Sequence, residues 1–282
     1  MLEAKPVSTP AITGRRLSLH DGQPLSDPTT YRSVVGALQY LTITRPDIAF
    51  AVNQVCQFMH HPTSTHWIAI KRILRYIKNT YSHGLFYRPG SFTLTAYSDT
   101  NYAGDPDDRI STGGSCIYLG PNLVSWSSKK QQGVSRSSTE AEYRQLAYTA
   151  ATISWFQQLF RDLRLPLSYP KLWCDNISAI SLASNPVFHT RTRHVEVDYH
   201  YVREKVVCGE LVVSYLCTTD QLADLFTKGL AAARFSSLVS KLPVRDLPIS
   251  LRGNVKPCNQ STQNKVSTVF NALSNPAKSG HH

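Results

Sequence analysis

Apolar and polar positions follow a short strand period in the middle of the chain and a helical period before and after it. Alternation predicts three consecutive strands, at 92–99, 114–119 and 122–128. The later pattern predicts a helix from about 138 to 163, a strand at 171–175, helices near 176–184 and 192–207, a strand at 210–217 and a helix from about 219. Meandering strands followed by alternating strands and helices are typical of a mixed sheet with helices against its faces. The predicted fold class is therefore α/β.

The two ends of the chain have a different character. Residues 1–29 are rich in Pro, Ser and Thr, which predicts an irregular lead-in. Residues 30–90 are predicted to form a helical segment that ends in a connector. The main domain is expected over 91–232. A basic tail is expected over 233–282, where apolar periodicity is lost, with disorder beyond about residue 250.

Four acidic residues lie in four different local settings. Asp99 ends the first predicted strand, Glu142 lies in the first turns of the long helix, Asp175 ends a short apolar run, and Asp224 lies in the last predicted helix. Carboxylates at strand ends and on facing helices can converge at one edge of a sheet, where they repel one another unless cations lie between them. A pair of Mg²⁺ ions is the usual solution, and its usual chemistry is hydrolysis of a phosphodiester.

The order of these motifs resembles the ribonuclease H domain of copia-type LTR retrotransposon Pol polyproteins. The matching segments are 96–99 (AYSD), 102–105 (YAGD), 137–143 (SSTEAEY), 173–176 (WCDN) and 221–228 (QLADLFTK). Upstream, 31–36 (YRSVVG) and 44–48 (TRPDI) resemble the last helical segment of the same family's reverse transcriptase. The resemblance covers roughly residues 24–230, and an ordered set of motifs is far more specific than a lone aspartate.

The resemblance implies a ribonuclease H-like mixed five-stranded sheet flanked by helices and preceded by a small helical segment. It implies metal-dependent endonucleolytic hydrolysis of the RNA strand of RNA–DNA hybrids. Two Mg²⁺ ions, or Mn²⁺, would be held by Asp99, Glu142, Asp175 and Asp224. The implied partners are the hybrid and the remainder of the Pol polyprotein. The chain contains no Tyr-x-Asp-Asp palm sequence, so it is not expected to extend a primer.

Two glutamates compete for the helical position in the site. Glu140 and Glu142 lie two residues apart, about 200° around a helix, so they cannot both face one metal site. Glu140 has Arg144 at i+4 as a surface partner, and Glu142 precedes the aromatic Tyr143, as in the general ribonuclease H pattern. Glu142 is therefore the predicted ligand.

The two later aspartates each have a structural alternative. Asp175 could cap a turn or helix. Asp224 could be an acid in the first turn of a helix, after a capping box at 218–221, with Lys228 at i+4 as its surface partner. Many ribonucleases H also carry a histidine in the loop before the last aspartate, whereas residues 216–220 here contain none. The missing histidine is expected to affect the turnover rate more than the hydrolytic mechanism.

Residues for binding nucleic acid are expected in two places. Lys71, Arg75 and Lys78 share one face of the helical run 66–78 and could contact backbone phosphates, although a solvated face opposite the apolar stripe explains them equally well. Hydroxyls and backbone N–H groups before the long helix suit phosphate contacts, although Ser138 could simply be its N-cap. The candidates in this second group are Ser135, Arg136 and Ser138. Asn176, which lies outside both groups after the predicted strand at 171–175, is a further single candidate, although it could instead cap the following helix.

Composition and charge give expectations for the binding partners and the cellular location of the protein. The chain has 282 residues and a net charge of +11, distributed as +6 over 1–90, −1 over 91–230 and +6 over 231–282. Basic flanks around a near-neutral middle suit capture of a polyanion, although basic ends can also serve solubility alone. Six scattered cysteines without CxxC spacing are read as reduced thiols. No membrane span and no signal-peptide core is found, so an intracellular protein, cytoplasmic or nuclear, is expected.

Two other functions stay open at this point. A catalytically inactive nucleic-acid-binding remnant would keep the fold without the activity. Another nuclease of the same fold, such as an integrase or a resolvase, would differ in the spacing of its acids and in its substrate.

Overall fold

The structure, a computed structural model, describes residues 3–184 and 196–246. Its helices are α1 (Thr29–Leu41), α2 (Ala49–Cys56), α3 (Ser64–Asn79), α4 (Ser138–Asp162), α5 (Ile177–Ser184), α6 (Glu196–Val207) and α7 (Ala232–Val239). Its strands are β1 (His83–Leu85), β2 (Leu94–Asn101), β3 (Thr112–Leu119), β4 (Asn122–Lys130), β5 (Lys171–Cys174), β6 (Val212–Tyr215) and β7 (Val244–Asp246). Short 3-10 turns cover Pro46–Ile48, Thr218–Asp220 and Leu222–Phe226.

A mixed five-stranded sheet forms the centre of the molecule. Its strand order is β4-β3-β2-β5-β6. The neighbours β2, β3 and β4 are antiparallel, and β5 and β6 run parallel to β2. The predicted α/β class, with a five-stranded mixed sheet between helices, is confirmed.

Helices cover both faces of this sheet. On one face, α4, α5 and α6 bury apolar side chains of β2 and β5, such as Leu94 and Leu172. On the other face, the helical segment packs with Cys116 and Tyr118 of β3 into a second core. The helical segment expected over 30–90 therefore shares its core with the sheet.

The TRPDI motif at 44–48 builds a buried polar network in that second core. The Arg45 guanidinium donates to both carboxylate oxygens of Asp47, at 2.9 and 2.7 Å, and to the backbone oxygen of Thr80 at 2.8 Å. Tyr76 Oη donates to the same carboxylate at 2.6 Å. Arg45 is 3% exposed and Asp47 1%. The motif thus ties α3 to the turn before α2 through a fully desolvated ion pair.

Arg45→Met is expected to lower the free energy of unfolding by about 3–5 kcal/mol, because it leaves the Asp47 carboxylate buried without its partner. Thermal unfolding measures the change. The double variant Arg45→Met/Asp47→Leu should recover much of the loss, since it removes both charges. Equal melting temperatures for Arg45→Met and wild type would show that the ion pair contributes nothing.

The chain beyond residue 232 differs from the predicted tail. Helix α7 buries Phe235 and Leu238, and β7 pairs with β1 in a second, two-stranded sheet. The Phe235 ring packs edge-on against Tyr76, with centroids 5.6 Å apart. Residues 232–246 thus complete the core around the helical segment, and the boundary predicted at 233 is wrong. Residues 247–282 lie outside the described residues.

The lead-in follows α3 across the surface. Arg75 Nε donates to the Lys5 carbonyl at 2.6 Å, and Lys78 Nζ donates to the Ala4 carbonyl at 3.0 Å. Arg72 donates to Thr9 Oγ1 at 2.7 Å. The basic face of α3 therefore holds the lead-in through its backbone carbonyls.

Within residues 3–184 and 196–246, no helix combines the length and apolar character that a membrane crossing needs.

Candidate active site

Asp99 and Asp175 lie close to the carboxyl ends of adjacent parallel strands. Asp99 is two residues before the end of β2, so the strand end predicted at Asp99 falls two residues short, and Asp175 directly follows β5. Tyr97 on β2 is in register with Trp173 on β5, so the carboxyl ends of the two strands lie side by side. Asp99 is 2% exposed, and Thr218 Oγ1 donates to Asp175 Oδ2 at 2.9 Å. The alternation of β2 and the short length of β5 place both acids at one edge of the sheet.

Helix α4 brings Glu142 to the same edge. The backbone N–H of Thr100 donates to Glu142 Oε1 at 3.3 Å. Ligand atoms of Glu142, Cys174 and Asp175 all lie within 4.8 Å of one another. Burial, followed by the charges of Asp99 and Asp175, raises the pKa of Glu142 to about 9.

The Cys174 thiol is a buried member of this group. Burial, with the Glu142 charge as the next cause, raises the pKa of Cys174, so the sulfur stays a neutral thiol there. Among the described residues, this cluster of three is the one group of His, Cys and acidic side chains close enough to hold a metal ion.

A 3-10 turn brings Asp224 close to Asp99. Asp224 lies in the 3-10 turn Leu222–Phe226. This turn packs against Gly114, the residue that pairs with Asp99 across the sheet. A Cβ atom added at Gly114 would lie 2.8 Å from Phe226 Cβ. A glycine at 114 is thus needed for the turn to come so close. The prediction of a helix from about 219 is wrong here, because Leu222–Phe226 forms a 3-10 turn. Burial and then the Asp99 charge raise the pKa of Asp224 to about 7, against the effect of the Lys228 ammonium.

Two cations and a hydroxyl hold these two acids. Lys228 Nζ lies 2.7 Å from Asp224 Oδ1 and 3.4 Å from Asp99 Oδ2. Arg234 donates to Asp224 Oδ2, and Thr227 Oγ1 donates to Asp99 Oδ2. The pairing expected between Asp224 and Lys228 is confirmed, but it does not lie at the surface, because the Asp224 side chain is 1% exposed. Lys228 also spans the gap to Asp99.

The arrangement fits a divalent cation on the Glu142 side. Glu142 Oε2 is buried and has no hydrogen-bond partner among the described residues. A buried carboxylate oxygen without a hydrogen-bond donor is unfavourable. Two further carboxylates lie close enough to raise the pKa of Glu142, and a bound cation would relieve both effects. Carboxylate oxygens are also the donors that Mg²⁺ prefers.

Glu140 has a separate and more exposed environment. Its Oε1 lies 2.7 Å from Arg144 Nη2, and its Oε2 accepts from the backbone N–H of Arg136 at 2.9 Å. The ion pair expected between Glu140 and Arg144 is confirmed. The helix therefore separates the two glutamates as their spacing predicts.

The residues predicted to bind nucleic acid before α4 lie near the site in different settings. Ser135 is buried and donates to Gln131 at 3.3 Å, whereas Arg136 and Ser138 are exposed. The N-cap of α4 is Ser137, which accepts from the Glu140 N–H at 3.1 Å, so the expectation of a cap at Ser138 is wrong by one residue. Their contact with a phosphate stays a prediction.

The other predicted binding residues have structural partners. Asn176 Oδ1 accepts from the Ala179 N–H at 3.0 Å, which confirms its expected cap. Arg75 and Lys78 hold the lead-in, and Lys71 is exposed, with its ammonium 5.9 Å from the centre of the Trp67 ring. A role of these residues in binding nucleic acid stays a prediction.

Several residues of the site were not found from the sequence. Cys174, Thr218, Thr227 and Arg234 were not predicted, and Lys228 was assigned only as a partner of Asp224. The i+4 spacing from Asp224 was a signal for Lys228. For Arg234 there was none, because it reaches Asp224 only through the packing of α7.

The strand order and the acidic edge together define a ribonuclease H-like fold. The chain is 50% identical over 255 residues to the retrovirus-related Pol polyprotein from transposon RE2 of Arabidopsis thaliana, covering 90% of this chain and 18% of that protein. It is 37% identical over 247 residues to the Pol polyprotein from transposon TNT 1-94 of Nicotiana tabacum, covering 83% and 18%. Homologues at 50% identity over about 90% of the chain are thus Pol polyproteins of copia-type retrotransposons, and the chain spans less than a fifth of the length of these curated relatives.

A comparison with solved structures finds ribonuclease H1 of the archaeon Halobacterium salinarum, at 16% identity and a TM-score of 0.37, covering 48% of this chain and 94% of that one. No protein-family model matches the chain.

Proposed function

We propose that this chain is a metal-dependent endonuclease that hydrolyses the RNA strand of RNA–DNA hybrids as part of a Pol polyprotein. The observation that carries the proposal is the buried, partnerless oxygen of Glu142 beside Asp175 and Asp99 at one edge of the sheet. Three carboxylates buried together repel one another when they are ionised, so the fold is destabilised unless a cation binds or a proton is retained.

In this proposal Asp99, Glu142, Asp175 and Asp224 hold two Mg²⁺ ions, or Mn²⁺. When bound, such ions activate a water for attack on the phosphodiester and stabilise the leaving 3′-oxygen. The protein orients the ligands: the Thr100 N–H fixes Glu142, Thr218 fixes Asp175, and Thr227 fixes Asp99. Selection of RNA would rest on contacts to the 2′-hydroxyl and on hybrid shape, with little reading of bases.

Asp99→Asn is expected to abolish Mg²⁺-dependent cleavage of a labelled RNA–DNA hybrid while the protein stays folded, because the amide keeps the side-chain volume and loses the charge. Duplex DNA and duplex RNA serve as control substrates, and circular dichroism checks the fold. Cleavage by the variant at the wild-type rate would remove Asp99 from the site.

One observation favours the catalytically inactive remnant as a second candidate. Both oxygens of Asp224 face cations, Lys228 and Arg234, and Lys228 also reaches Asp99. Protein cations in these positions could take the place of a metal ion. Salt-sensitive binding of the hybrid by a folded wild-type protein that does not cut it would support this second function.

A further inference from the structure

A cleft of about 260 Å³ opens beside the candidate active site. It lies between a turn of the lead-in at residues 14–17, helix α2 and the loop that follows β2. Two of its lining residues connect it to the carboxylates. Asn101 follows Asp99 by two positions on β2, and Lys228 lies 3.4 Å from Asp99. The cleft is thus continuous with the site.

The lining of the cleft combines cations and amides with the apolar side chains of Leu17, Phe50 and Phe58. Arg15, Arg16 and Lys228 contribute three cations, and Gln54 and Gln57 add amides from the α2 side. Arg15 is exposed, and no hydrogen bond or ion pair of its guanidinium is found with the residues the structure describes. Arg16 uses one donor, to the Ala103 carbonyl at 3.2 Å, and a guanidinium has five.

The carboxylate that lines the cleft, Asp105, is paired with a lysine that it shares with a second aspartate. Asp105 lies 2.5 Å from Lys130 Nζ, which also contacts Asp108. The ion pair with Lys130 therefore weakens the repulsion between Asp105 and an anion that enters the cleft. A phosphodiester group matches this lining, because guanidinium groups bind phosphate oxygens in pairs and amides add neutral donors.

The turn that carries the arginines is fixed on both sides. Before it, Arg72 donates to Thr9 Oγ1 at 2.7 Å. After it, Ser18 Oγ and the Leu19 N–H both donate to the Asp107 carboxylate, at 2.5 and 2.8 Å. Gly14, with φ +70°, makes the reversal between these anchors. The backbone that carries the two arginines is thus held beside the cleft before any ligand binds, which lowers the entropy cost of binding.

We propose that this cleft binds a backbone phosphate of the hybrid next to the point of cleavage, with Arg15 and Arg16 as its phosphate contacts. The proposal rests on the proposed function. In this proposal, the lead-in contributes phosphate-binding residues to the nuclease domain. The basic face of α3 then acts indirectly, since it holds the lead-in that presents the two arginines.

The test measures hybrid binding in metal-free buffer, where hydrolysis cannot proceed, by fluorescence anisotropy between about 50 and 200 mM salt. Arg15→Gln is expected to weaken binding and to reduce the slope of log affinity against log salt by about 0.9, with about twice that for Arg15→Gln/Arg16→Gln. Arg15→Gln removes no hydrogen bond within the described residues, so its melting temperature should match wild type.

Arg88→Gln is the matched control. Its backbone is hydrogen-bonded to the Asn122 side chain at the β3–β4 turn, the opposite end of the sheet from Asp99. An unchanged slope in both Arg15 variants, or an equal fall in Arg88→Gln, would overturn the proposal. The proposed function fails separately: if wild type never cuts a hybrid in Mg²⁺ but the Arg15 variants still lower the slope, the phosphate site stands without the nuclease.

Discussion

Glu142→Gln is expected to reduce the rate of Mg²⁺-dependent hybrid cleavage by at least about 100-fold, because it removes a charged ligand from the centre of the proposed metal site. Glu142 is 7% exposed, and its Oε2 has no donor among the described residues. Glutamine fills the same volume, so the fold should survive. Single-turnover cleavage of a labelled hybrid is the measurement.

Glu140→Gln is the matched control for this substitution. It makes the same chemical change on the same helix, two residues away, at a partly buried side chain that pairs with Arg144. Glu140 is not among the described side chains that lie close enough together to hold a metal ion, so this variant should cleave at close to the wild-type rate. Loss of cleavage in Glu140→Gln with cleavage kept in Glu142→Gln would reverse the assignment of the two glutamates.

The sheet and its acidic edge could be predicted because their signals are local. Alternation along β2 and the short apolar run of β5 predict where each strand ends, and those ends carry Asp99 and Asp175. The period of a helix shows that Glu140 and Glu142 cannot both face the site. The i+4 spacing from Glu140 to Arg144 and the resemblance to the ribonuclease H pattern favour Glu142. The structure brings Asp99, Glu142 and Asp175 together, although β2 continues two residues beyond Asp99, to Asn101. Their role as metal ligands stays a prediction.

The remaining features of the site depend on packing between distant segments. The turn that carries Asp224 is not an α-helix, because the Gln221 side chain caps it at the Ala223 N–H and also donates to the Ser98 carbonyl on β2. Tertiary hydrogen bonds of this kind override the capping pattern at 218–221.

Helix α7 was missed because it has only eight residues, too few for its apolar period to stand out in a basic, polar stretch.

A second large effect is expected when the metal is removed: the free energy of unfolding should fall as the pH rises from about 5 to 8. The pKa of Glu142 is raised from 4.5 to about 9, and that of Asp224 from 3.8 to about 7. Between those values the folded chain keeps protons that the unfolded chain has released. Stability is therefore lost as the pH increases. The expected fall is about 1–3 kcal/mol, allowing for relaxation of the site around the ionised groups.

Mg²⁺ should reverse this dependence, since a cation that binds only the folded, ionised carboxylates stabilises the protein by mass action. Urea unfolding at about pH 5 and pH 8, with EDTA or with Mg²⁺, measures both effects. Glu142→Gln should be more stable than wild type at pH 8 in EDTA and should gain less from Mg²⁺, whereas Glu140→Gln should follow wild type in both buffers. If metal-free wild type were as stable at pH 8 as at pH 5, and no more stable with Mg²⁺, then the three carboxylates would not repel one another as their burial requires. The buried oxygen of Glu142 would then need a partner other than a metal ion.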